Sequence, residues 1–182
     1  MINSIENAVR NRINWLENNS GSNLLISKLR RLNPSQNTDI ELYTWMFGGS
    51  DSKLADKINN SDQYTNEEWA IMIPLILYSM NSPRKLSKNQ MSFAKALGKT
   101  VKTQEDVVRL SRRLESLSKT RDIQLINRQL QQLFRYLKPY SNKVNYPELA
   151  RDLYMFLDSE TRQEIQKKWG TEFTESINFS RL

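Results

Sequence analysis

Neither histidine nor cysteine occurs anywhere in the 182 residues. Without histidine there is no Ser-His-Asp or Cys-His arrangement, no imidazole metal ligand and no member of the commonest class of general acid or base. Without cysteine there are no disulfides, no thiolate chemistry and no cysteine zinc site, which fits an intracellular home. Long apolar runs are also missing. The longest, Trp69 to Tyr78, is interrupted by Pro74 and falls short of the roughly 20 residues that span a bilayer, so it reads as a buried core helix. Met1 to Leu16 is amphipathic and polar, unlike an export signal, and the expected location is cytoplasmic. No stretch alternates apolar and polar residues, so no strand is predicted.

What is present is positive charge and helical periodicity. Lys and Arg number 27 against 20 Asp and Glu, giving a net charge of +7 and a pI near 9.6. Such a surface attracts phosphates or anionic membrane. The clearest pattern runs from Thr103 to Leu157. Ile123, Ile126, Leu130, Leu133, Phe134 and Leu137 fall on one helical stripe, with Arg128, Gln131, Gln132 and Arg135 opposite. The segment before it repeats the design: Val107, Leu110, Leu114 and Leu117 are apolar, and Arg109, Arg112 and Arg113 point elsewhere. A third segment, capped by Asn145, carries Tyr146, Leu149, Ala150, Leu153, Phe156 and Leu157, with Pro147 tolerated in its first turn. Leu114, Leu130 and Leu153 are expected to share one C-terminal core.

Other helices follow from the same signals. Ile5, Val9, Ile13 and Leu16 phase the first, which Asn18 to Gly21 stops. Leu25, Leu29 and Leu32 phase the second, which Asn33-Pro34 ends. Thr38 with Glu41, and Thr65 with Glu68, form capping boxes for the next two. Gly48-Gly49 ends the third, and the polar stretch from Ser50 to Tyr64 reads as mostly loop. Pro74 predicts a kink or restart. A short helix from Met91 to Leu97 leads to Gly98 as a C-terminal cap, Thr103 and Asp106 start the long basic-faced helix, and a last helix begins near Ser159 with Ile165, Trp169 and Phe173 as anchors. The fold is therefore read as all-α, a two-lobed helical bundle of about eight or nine helices. The N-terminal lobe covers 1–82, a basic linker 83–90 and the C-terminal lobe 91–182.

Several constellations suggest chemistry and are better explained as structure. Gly98-Lys99-Thr100 ends like a P-loop, yet Phe93 stands where another glycine is required, and a helix precedes it in place of a strand. Glu160 and Glu164 flank Arg162 on a surface-like face without a second pair to complete a metal site. Tyr43, Trp45, Phe47 and Trp69 have the spacing of core aromatics more than of a base-stacking platform. The basic clusters are the stronger candidates for function: Lys28, Arg30 and Arg31; Arg84, Lys85 and Lys88; Lys95, Lys99 and Lys102; Arg109, Arg112 and Arg113; and Arg128 with Arg135. They are expected to bind nucleic acid, with Arg30, Arg112 and Arg113 on phosphate. No catalytic residue, metal site or cofactor is predicted.

At these arginine-rich helices the chain resembles the CasB family, the small subunit of the type I-E CRISPR Cascade surveillance complex. The resemblance rests on Leu29-Arg30-Arg31, Ser92-Phe93-Ala94-Lys95-Ala96-Leu97, Arg112-Arg113-Leu114-Glu115-Ser116-Leu117, Leu130-Gln131-Gln132-Leu133-Phe134 and Val144-Asn145-Tyr146-Pro147-Glu148-Leu149-Ala150-Arg151-Asp152-Leu153, in that order. Gln131 stands where the family often has Arg, and Ala94 where it has Gly. The resemblance implies a two-lobed helical protein without catalytic activity, present as a pair along Cascade. It would touch the crRNA-bearing backbone subunits and the large subunit, and hold the displaced non-target strand of the R-loop. Single-stranded DNA, crRNA and a second copy of the chain are the implied partners, and a membrane is not. The rival reading, a free-standing helical DNA-binding regulator, requires a recognition helix with base-reading residues at its start and a matching dimer symmetry, and no segment displays them.

Overall fold

Every residue from Trp69 to Ser79 is buried, so the helix Asn66–Asn81 has no solvent face along its middle. A helix apolar all round belongs at the centre of a bundle. The computed structural model describes residues 2–33, 39–48, 64–81 and 85–181. Within them lie nine α-helices: α1 (Ile2–Asn18), α2 (Ser22–Arg31), α3 (Ile40–Phe47), α4 (Asn66–Asn81), α5 (Phe93–Gly98), α6 (Gln104–Lys119), α7 (Ile123–Tyr136), α8 (Tyr146–Leu157) and α9 (Arg162–Ser176). Two 3-10 turns occupy Lys138–Lys143 and Phe179–Arg181. The sole extended pairing among the described residues is a parallel bridge between Met91 and Val144. The fold is all-α, as expected. Thr38, the polar stretch Ser50 to Gln63 and Arg84 lie outside the described residues.

The chain divides into two compact units, Met1–Ser82 with Tyr146–Tyr154, and Pro83–Asn145 with Met155–Leu182. In the first unit, α1, α2 and α3 pack on α4. Thr65 and Glu68 form the predicted capping box of α4: the Glu68 N–H donates to Thr65 Oγ1 at 3.2 Å, and the Thr65 N–H to Glu68 Oε2 at 2.7 Å. Asp39 caps α3, accepting from the N–H groups of Glu41 and Leu42. The helix does not restart at Pro74; α4 runs through the proline, which is itself buried among apolar neighbours, so tertiary packing outweighs the lost backbone bond. Leu153 is buried in this unit, whereas Leu130 is buried in the other and Leu114 is only half-buried. The expected shared core of the three leucines is thus corrected: periodicity gives a helix its apolar face but not the unit that face joins.

Tyr78 of α4 and Tyr146 of α8 meet edge to face in the first unit, their ring centroids 5.4 Å apart. Burial, with a smaller contribution from Glu17, pushes the Tyr78 hydroxyl up to about 12, and burial raises that of Tyr146 as well. A phenol whose folded pKa exceeds the unfolded value of about 10 keeps its full stabilising effect below that value and loses it as pH rises, because the unfolded chain releases the proton first. Urea unfolding is therefore expected to be flat in this respect up to about pH 10 and then to weaken by roughly 1.4 kcal/mol per pH unit for each tyrosine. Tyr78→Phe should make that alkaline slope shallower; an unchanged slope would contradict the assignment.

In the second unit the aromatic core stacks Phe93 on Phe134 at 5.5 Å and sets Trp169 against both Phe93 and Phe156. Gly98 is the last residue of α5, and the C-cap position is Lys99 with right-handed helical backbone. A Cβ at Gly98 would clash with the carbonyl oxygen of Phe173 and come within 2.9 Å of the Ser176 side chain. The glycine is thus needed for the close approach of α5 to α9, not for a left-handed cap. Arg162, expected on a surface-like face, is 3 % exposed. Its guanidinium donates to the carbonyls of Phe156 at 3.0 Å, Ser118 at 3.2 Å and Thr120, all at the ends of helices whose last carbonyls lack intrahelical partners.

Candidate nucleic-acid interface

Only Thr120 to Asp122 separate α6 from α7, so the two helices form an αα-hairpin. Thr103 and Asp106, the predicted start of α6, form a capping box there, and Asp122 caps α7 by accepting from the Leu125 N–H. Leu110 and Leu117 of α6 and Ile126, Leu130, Leu133 and Phe134 of α7 are buried. The arginines are consequently displayed away from the core.

A polar seam runs along the hairpin. Gln129 Nε2 donates to Ser116 Oγ at 3.1 Å, and Arg113 donates to Gln132 Oε1 at 2.9 Å. One turn further, the Arg109 and Arg113 guanidiniums lie over the Tyr136 ring, 5.3 and 5.8 Å from its centroid. The steps 116, 113, 109 on one helix meet 129, 132, 136 on the other, the register of antiparallel helices with neighbours three and four residues apart. This seam fixes two arginines at its rim. Arg109 also pairs with Asp106, whose carboxyl is held below its usual range by the Lys102 N–H, the Thr103 hydroxyl and N–H, and Arg109.

Arg112 is exposed on the outer face of α6, where Gln104, Glu105, Val108, Arg109 and Ser116 share with it an open depression of about 670 Å³. Arg128 and Arg135 are exposed on α7, opposite its apolar stripe. Among the described residues, no ion pair involves Arg112, Arg128 or Arg135. Their charge is available to solvent or to a polyanion.

Lys85 and Lys88 are exposed on a segment tied to the 3-10 turn: the Ser87 N–H donates to the Asn142 carbonyl at 2.7 Å, and the Met91 N–H to the Lys143 carbonyl at 2.7 Å. The turn adds Lys138 and Lys143, and the Lys143 ammonium lies 5.9 Å from the centroid of the Tyr140 ring. Lys95 on α5 lies 3.9 Å from Glu172, while Lys99 and Lys102 are exposed in the link to α6.

The three predicted residues of the first unit are engaged differently. Lys28 pairs with Asp39 at 2.8 Å and Glu41 at 2.5 Å, and the hydrogen bond to Asp39 leads in raising its pKa. Arg30 Nε donates to the carbonyl of Ser79 at 2.6 Å, serving the C-terminal end of α4, where a cation is also attracted to the negative end of the helix dipole. Arg31 is exposed. Sequence reasoning placed Gln132 opposite the apolar stripe of α7 without giving it a role, and did not find Gln129, Tyr136, Lys138, Tyr140 or Lys143. The spacing of Gln129, Gln132 and Tyr136 along one flank of the apolar stripe was the available signal. Of the aromatics considered for stacking, Phe47 and Trp69 are buried, Trp45 meets Trp15 edge on, and the Tyr43 hydroxyl donates to Glu68.

Residues 26–173 match the sequence model of the CRISPR-associated protein Cse2 family. The chain belongs to the Cse2 family. Membership makes it a subunit of CRISPR Cascade, the type I-E small subunit, and agrees with the resemblance found at the arginine-rich helices. The fold agrees as well: the crystal structure of CasB from Thermobifida fusca superposes with a TM-score of 0.70 at 15% identity, covering 94% of this chain and 96% of that one. No curated protein matches the chain. Among the described residues, no helix is long and apolar enough to cross a membrane, and no three His, Cys, Asp or Glu residues gather as a metal site.

Proposed function

We propose that this Cse2-family chain acts without catalysis, as a cytoplasmic subunit that stabilises the R-loop by holding the displaced non-target strand. The observation that carries the reading is the α6–α7 hairpin, whose polar seam fixes Arg109 and Arg113 beside the exposed Arg112, Arg128 and Arg135. Lys85, Lys88, Lys99 and Lys102 add charge within the same unit, and Arg84, Lys95, Lys28, Arg30 and Arg31 complete the candidate set. Exchange of a DNA duplex for a guide–target heteroduplex is nearly balanced, so capture of the released strand tips it without any bond being broken. Guanidiniums contacting phosphates do this for every sequence alike, as a guide-programmed complex requires. In this reading the chain also bridges the crRNA-bearing backbone subunits and the large subunit, beside a second copy of itself.

Affinity purification of the tagged chain from cells expressing its native neighbours tests the assembly. The expected result is a stoichiometric complex of several larger proteins and one short RNA. A lone homodimer carrying a single duplex sequence would overturn the proposal in favour of a regulator.

A further inference from the structure

Two tyrosines on the basic unit carry cations over their rings. Tyr136 ends α7 beneath Arg109 and Arg113, and Tyr140 sits in the following 3-10 turn with Lys143 over it. Both are half-buried and so keep part of their surface in solvent. Four residues apart, they lie within about 14 Å of each other along the chain even when it is fully extended. Neither serves the aromatic core, which is built from Phe93, Phe134, Phe156 and Trp169. Arg135 and Lys138 flank them in sequence, so aromatic and cationic side chains alternate from 135 to 143: Arg135, Tyr136, Lys138, Tyr140, Lys143.

We propose that Tyr136 and Tyr140, with the guanidiniums of Arg109 and Arg113, form a stacking site for unpaired nucleobases. This rests on the reading of the unit as a strand-binding surface and adds that the surface distinguishes strands by their bases' π-faces as well as by phosphate. Rings and guanidinium planes interleaved with cations accept bases of any identity, because every base has a π-face, and bases in a closed duplex are not free to enter. Arg113, bonded to Gln132 as well as lying over Tyr136, is ordered before a base arrives.

The test compares the full-length chain binding an oligothymidylate and an abasic strand of equal length and charge, across a range of salt. The wild type should bind the base-bearing strand at least about fivefold more tightly. Tyr136→Leu and Tyr140→Leu, made singly and checked by thermal melting, should each reduce that ratio while leaving the salt slope near its original value. Tyr136→Phe and Tyr140→Phe should keep the ratio. Equal binding of the two strands by the wild type would overturn the stacking site while the phosphate reading stood. A base preference surviving both leucine variants would overturn the assignment to these rings. Failure to bind either strand at low salt would remove the strand-binding reading, and this proposal with it.

Discussion

Arg162→Met should lower the unfolding free energy by roughly 3 kcal/mol, through loss of donors to buried carbonyls that cost about 1–3 kcal/mol each when left unsatisfied. Arg162 serves the last turns of two helices at once, donating to Phe156 at the end of α8 and to Ser118 and Thr120 at the end of α6. Ser118 keeps a second donor in Gln166 at 2.7 Å, so Phe156 and Thr120 carry most of the loss. The guanidinium also lies 3.9 Å over the Phe156 ring, an attraction that methionine lacks. Two effects oppose these: burial, with nearby Arg121, already lowers the Arg162 pKa, and its Nε finds no partner. Both reduce the penalty without cancelling it. Arg162→Lys should fare little better, because one ammonium does not reproduce a planar fork aimed at two helix ends. A melting temperature lowered by about 6–12 °C is the corresponding shift for a chain of this size. A change below about 0.5 kcal/mol in urea unfolding would refute the structural role.

The second large effect is expected from reversing charge on the hairpin. Arg112, Arg128 and Arg135 are exposed and free of ion pairs among the described residues, so their joint replacement by Glu should leave stability within about 0.5 kcal/mol per site. Binding of single strands, on the proposed reading, should fall steeply and become less sensitive to salt. Each phosphate contact contributes roughly 0.7 to the slope of log affinity against log salt on a single strand, so three lost contacts remove about two logarithmic units per decade. The loss should be the same for strands of different sequence. Arg113 and Arg30 are poorer targets than they seem from sequence, because Arg113 holds the seam through Gln132 and Arg30 holds the Ser79 carbonyl. Unchanged affinity and slope in the folded triple variant would mean that these arginines face protein or solvent.

Much of this was legible before the structure, for identifiable reasons. The buried stripe of α7 follows from three- and four-residue spacing, and the caps at Thr65 and Thr103 from a side chain meeting a backbone N–H three residues away, both local relations. Features that depend on a second helix were not legible. The pairing of Gln129 with Ser116 and of Tyr136 with Arg109 needs the register between α6 and α7, which no single-helix pattern contains. Arg162 looks like any surface arginine, because the groups that draw it inward are backbone carbonyls at the ends of α6 and α8. Gly98 has the sequence context of a cap and the surroundings of a close helix crossing. Pro74 disfavours a continuous helix locally, yet the apolar surroundings of α4 prevail.

The most direct test of the central claim is protection of the displaced strand by the assembled complex. Cascade is prepared with the wild-type chain, with the Arg112→Glu, Arg128→Glu, Arg135→Glu variant, and without the chain, and incorporation is verified by gel. Nuclease protection of the non-target strand is then followed across a salt titration, on two unrelated targets with matching guides. The account predicts strong protection with the wild type that fades as salt rises, weaker and less salt-dependent protection with the variant, and the weakest protection without the chain, alike on both targets. Equal protection by fully assembled wild-type and variant complexes at every salt concentration would contradict it.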